Sequence, residues 1–92
     1  VFYFGDSMTQ EQDQLYGTGC YHALQGKELT EEQLSNVAYS TYIQGYIDKK
    51  IEIYLNDKRS LELLKNLRDR YSNIEYARLT LDDKISQLIN KI

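Results

Sequence analysis

Apolar residues recur along the chain at three- and four-residue intervals, the period of an α-helix, in four separate stretches. The spacing predicts helices over residues 10–25, 31–55, 58–71 and 81–91. Three hydroxyl residues open such stretches with a partner three positions on: Thr9 with Gln12, Thr30 with Gln33 and Thr80 with Asp83. Glu31 and Glu32 also place two carboxylates at the positive end of a helix dipole. Gly26 reads as the stop of the first helix, and Asn56-Asp57 as the stop of the second.

The second stretch carries the strongest pattern. At about 100° per residue, Tyr39, Tyr42, Ile43, Tyr46, Ile47, Ile51, Ile53 and Tyr54 share one broad face. Thr41, Gln44, Gly45, Asp48, Lys49 and Glu52 fill the other, and Leu34, Val37 and Ala38 lie across the first turns. The expectation is a central helix with neighbours on both sides. Lys50 falls on the apolar face, where its stem is expected to snorkel past the core edge rather than meet a buried acid. Leu61, Leu64, Leu67 and Tyr71 line the third helix, with Lys58 and Glu62 spaced to pair on its surface. Leu81, Ile85, Leu88, Ile89 and Ile92 line the fourth. Gly17 and Gly19 weaken the first helix, by about 1 kcal/mol each relative to alanine, and suggest a kink or a close helix approach. Val1–Phe4 and Ile74–Leu79 remain an option for one short strand pair. The predicted fold class is all-α: one small single-domain bundle of about four helices spanning residues 1–92.

Composition sharpens this picture. A chain of 92 residues buries about 60–65% of its unfolded surface, a modest core with little area left for a deep cleft. Its apolar runs are too short to span a bilayer, so no membrane insertion is expected. One cysteine makes no internal disulfide, and one cysteine with one histidine makes no zinc site without carboxylates. No cofactor is expected. The chain begins at Val1 rather than Met, so any leader peptide is expected to have been removed already.

The net charge of −3 conceals an asymmetry. Residues 1–48 hold one base, Lys27, against seven acids, a net of −6. Residues 49–92 hold ten bases against seven acids, a net of +3, with the signs alternating as on a solvated helix face. An acidic first half argues against nucleic acid as the partner, because phosphate binding needs a basic surface.

Catalytic patterns fail on inspection. Phe4-Gly5-Asp6-Ser7-Met8-Thr9 resembles the nucleophile block of GDSL/SGNH esterases, and Tyr54-Leu55-Asn56-Asp57 imitates their oxyanion block with Tyr in place of Gly. The sole histidine, His22, follows Ser7 closely instead of standing near the end in an Asp-x-x-His. A serine with no base to take its proton is a weak nucleophile, so Ser7 and Thr9 are read as helix caps. An enzyme of this kind would lose ester turnover on Ser7→Ala. Cys20 and His22, two apart, point to helix faces about 200° apart and are not expected to share a metal.

What is abundant is tyrosine, nine against two phenylalanines. Tyr39, Tyr42 and Tyr46 form a strip that Tyr16 and Tyr21 can face, either as a tyrosine-lined core or as a binding surface. Leu15, Tyr16 and Cys20, followed by Tyr42-Ile43-Gln44-Gly45-Tyr46-Ile47-Asp48, resemble the Tai/Rap group of type VI secretion immunity proteins. Leu79-Thr80-Leu81 before an amphipathic helix is also similar. The similarity covers residues 15–50 and, more loosely, 79–92. Proteins of that group are small, mostly helical and periplasmic, and they bind and block a cell-wall amidase toxin. They commonly carry a second cysteine where Tyr39 stands here, so the disulfide of the group is missing.

The resemblance implies a periplasmic, non-catalytic module that binds a secreted hydrolase toxin. The expected contact residues are Glu28, Glu31, Glu32, Tyr39, Tyr42, Tyr46 and Asp48, with exposed tyrosines and carboxylates entering a groove of the partner. A homodimer stays open. So do two other roles: a periplasmic or secreted helical chaperone or structural adaptor, and a cytoplasmic phage or plasmid accessory domain.

Overall fold

A computed structural model of the chain describes residues 10–91. These residues form α1 (Gln10–Leu24), α2 (Glu31–Ser35), a 3-10 turn (Val37–Tyr39), α3 (Ser40–Leu55), α4 (Ser60–Arg70) and α5 (Glu75–Lys91). The fold is all-α, as the periodicity predicts. The chain divides into two units that part between Lys49 and Lys50, inside α3. The candidate strand Val1–Phe4, the caps at Ser7 and Thr9, the esterase-like block and Ile92 lie outside the described residues.

In the first unit, α1 stops where Gly26 allows it to. Gly26 takes φ +76°, the left-handed conformation that costs a side chain energy and glycine almost none. Its N–H donates to the carbonyl of Ala23 and the next N–H, of Lys27, donates to that of His22, both at 3.1 Å. This pair of reversed bonds satisfies carbonyls that the helix end leaves open.

The predicted helix over 31–55 is two helices, and the break has a local cause. Thr30 opens α2 with the expected capping box: its hydroxyl accepts from the Gln33 N–H at 3.2 Å, and Gln33 Oε1 accepts from the Thr30 N–H at 2.9 Å. The helix then ends after five residues. Asn36 is extended, at φ −108° and ψ 117°, and its side-chain oxygen accepts the Ala38 N–H at 2.9 Å. Short polar side chains offer the backbone such alternatives to the helical bond, so Asn36 ends one helix and caps the next turn. Tyr39 N–H donates to the Asn36 carbonyl at 2.9 Å, and the chain passes into α3. Val37 and Ala38, expected to contact a neighbour, are exposed.

In the second unit, Leu64 and Leu67 of α4 and Ala77, Leu81 and Ile85 of α5 are buried, and the two helices pack together. Tyr71, just past α4, is buried with them. The fourth helix begins six residues earlier than predicted, at Glu75 instead of residue 81, and the segment Ile74–Leu79 forms no strand. Thr80 is therefore interior to α5 and caps nothing. The four-residue spacing of Ala77, Leu81 and Ile85 carries a single buried stripe through that point. Arg68 bridges Asp82 on α5 at 2.9 Å and Asp69 at 3.3 Å, and the Asp82 bond is the main cause of its raised pKa. Lys58 stands in the turn ahead of α4, and the Lys50 ammonium lies 5.5 Å from the centre of the Tyr54 ring.

Candidate functional site

Within the first unit, α1 meets α3 at two glycines. A Cβ on Gly19 would stand 2.1 Å from the carbonyl oxygen of Tyr42 and 2.9 Å from the nitrogen of Tyr46. A Cβ on Gly45 would stand 2.1 Å from the carbonyl oxygen of Tyr16. The contact is reciprocal: each helix presents a Tyr-x-x-Gly segment, and each glycine rests on the backbone of the other segment's tyrosine. Only residues without a side chain let two helix backbones approach this closely. Gly17 has nothing within 4 Å, so the expected close approach belongs to Gly19 alone of that pair.

Polar bonds surround the crossing. The Tyr16 hydroxyl donates to Asp48, and the Cys20 thiol donates to the Gly45 carbonyl at 3.3 Å. The Tyr46 hydroxyl donates to the Lys27 carbonyl at 2.6 Å. His22 Nδ1 and the Tyr42 hydroxyl are 2.5 Å apart, with the two rings edge-on at 5.5 Å. Tyr39 meets Tyr42 edge-on at 5.8 Å, and Tyr21 tilts against His22 at 6.1 Å. Burial pushes the Tyr42 hydroxyl pKa above the ordinary tyrosine value; its hydrogen bond with Gln33 pulls down and its neighbour Tyr39 adds to the rise.

This geometry corrects the expected contact surface. Tyr42 and Tyr46 are 4% and 2% exposed, so they build the interior and offer no ring to a partner. Asp48 is half-buried beneath the Tyr16 hydroxyl, and Tyr39 is half-buried against Tyr42. Glu28, Glu31 and Glu32 are exposed, as a binding role requires. Tyr21, outside the expected contact set, is the tyrosine of α1 that faces solvent, at 57%. Gly45, assigned to the polar face by its angle, is buried.

Cys20 and His22 engage different partners on α3 and do not pair with each other. Among the described residues, no three His, Cys, Asp or Glu side chains are placed to hold a metal ion. No described helix is long and apolar enough to cross a membrane. Comparison of the chain with protein-family models, curated proteins and solved structures returned no match.

Proposed function

We propose that this chain is a non-catalytic protein-binding module of the immunity-protein kind, which engages a basic cell-wall amidase toxin through its acidic first unit and does so in the periplasm. The observation that carries the reading is the division of labour within that unit. Tyrosines, glycines, Cys20 and Asp48 are spent on one rigid helix crossing, while Glu28, Glu31 and Glu32 are left facing solvent. A rigid scaffold beneath exposed carboxylates suits an inhibitor, because complementary charge raises the rate of encounter and a fixed surface loses little entropy on docking. Support also comes from the resemblance. Tyr16, Cys20, Tyr42, Gly45 and Asp48, all part of the similar pattern, meet at that crossing, so the shared residues have a common structural task.

The test is size-exclusion chromatography of the chain with a purified cell-wall amidase encoded beside it, at physiological salt; a gene neighbourhood with no hydrolase would count against the proposal. Co-elution is expected, and the Glu31→Lys/Glu32→Lys double variant should weaken it. Separate elution of the wild-type proteins would refute the proposal.

A further inference from the structure

Val37 is 87% exposed, although the helical period places it toward a neighbour. Its position is nonetheless fixed. Asn36 Oδ1 accepts the Ala38 N–H, the Asn36 carbonyl accepts the Tyr39 N–H, and the Val37 carbonyl accepts the Ser40 N–H. Tyr39 anchors the turn edge-on against the buried Tyr42 ring. Every one of these bonds is made by backbone or by Asn36, so folding of the turn does not call for an aliphatic side chain at 37. A β-branched residue also has little rotamer freedom to lose on binding. α2 packs against the turn and carries exposed Glu31 and Glu32, with Glu28 just ahead of it. Over residues 27–39 the chain carries three acids, Glu28, Glu31 and Glu32, against one base, Lys27, so the segment that leads into this apolar tip is acidic.

We infer that the Val37 turn is a preformed apolar knob that seats in a pocket of the protein partner, a pocket rimmed by lysine or arginine. The inference rests on the binding role proposed above and adds which atoms make the central contact. The carboxylates of 28–32 steer the encounter, and the valine fills the pocket after water is expelled. A charged or polar side chain forced into an apolar pocket is desolvated without a hydrogen-bonding partner, which weakens binding.

The test measures the affinity of the same purified amidase for wild type, Val37→Asp, Val37→Ser and Leu79→Asp by biolayer interferometry. Val37→Asp adds a charge that should favour a basic partner, so a loss on this substitution reports the apolar pocket and not the electrostatics. We expect at least tenfold weaker binding for Val37→Asp and severalfold for Val37→Ser. Leu79→Asp, at another exposed apolar position, should bind as wild type does. Because Val37 is exposed, both of its variants should keep the wild-type circular dichroism and melting temperature. If wild type binds and both Val37 variants bind equally well, the knob is overturned while the binding role survives. If wild type itself fails to bind, both fall.

Discussion

The helix crossing makes opposite predictions for the same substitution at two glycines of α1. At Gly17 a new Cβ meets nothing within 4 Å, and at Gly19 it lands 2.1 Å from the Tyr42 carbonyl oxygen. Ordinary van der Waals contact starts at 3.4 Å, so Gly19→Ala forces the α1 and α3 backbones apart by roughly 1 Å. No side chain can rotate away to absorb this, because the obstructing atoms are backbone. Overpacking of this sort costs about 1–3 kcal/mol, and more where backbone must move. Against that, alanine gains about 0.8–1 kcal/mol of helix propensity over glycine at either site. Gly17→Ala should therefore stabilise by up to ~1 kcal/mol, while Gly19→Ala should destabilise by a net of up to ~2 kcal/mol. Separation of the helices would also stretch the Cys20–Gly45 and Tyr16–Asp48 bonds, which pushes the second figure upward. Urea unfolding followed by circular dichroism at 222 nm measures both values. If Gly19→Ala is as stable as Gly17→Ala, or more stable than wild type, the close crossing is wrong.

Three further outcomes follow from single sites. Gly26→Ala should cost about 1 kcal/mol, visible as a melting temperature lower by several degrees, because φ +76° is unfavourable for alanine. Tyr16→Phe should cost about 0.5–1.5 kcal/mol by removing the donor to Asp48, and pairing it with Asp48→Asn should prove non-additive in a double-mutant cycle. The raised pKa of Tyr42 means the folded state holds that proton more tightly than the unfolded chain. Its contribution to stability is complete below the unfolded tyrosine value near pH 10, roughly, and is lost as pH rises through the higher folded value. Ultraviolet titration at 295 nm should show a late-ionising tyrosine that Tyr42→Phe removes; an unchanged upper limb would contradict this.

The sequence carried the fold class and most helix ends, because each rests on local chemistry. The Thr30–Gln33 capping box, the stop at Gly26 and the close approach at Gly19 were all readable from neighbouring residues. The break at Asn36 was less visible: apolar spacing runs straight across it, and the deciding bond from Asn36 to the Ala38 N–H competes with a helix at a single residue. The start of α5 was misplaced because Thr80-x-x-Asp83 imitates a cap, while the residue that extends the buried stripe backward is only Ala77. At the candidate site, helical angles could group the tyrosines but could not say which face another helix would cover. Gly45 was the available clue. Tyr16-x-x-Gly19 and Tyr42-x-x-Gly45 repeat one pattern, and a glycine three residues after each tyrosine marks where the backbones touch. Read that way, the pattern places Tyr42 and Tyr46 inside, while the carboxylates of Glu28, Glu31 and Glu32 and the Val37 side chain stay exposed.

The proposed role is tested most directly by adding the purified chain to a purified cell-wall amidase encoded beside it, during hydrolysis of peptidoglycan at physiological salt. A protein-binding inhibitor should stop muropeptide cleavage as the chain reaches the concentration of the enzyme, with Glu31→Lys/Glu32→Lys requiring far more protein for the same effect. Undiminished hydrolysis at a large excess of wild-type chain would contradict it.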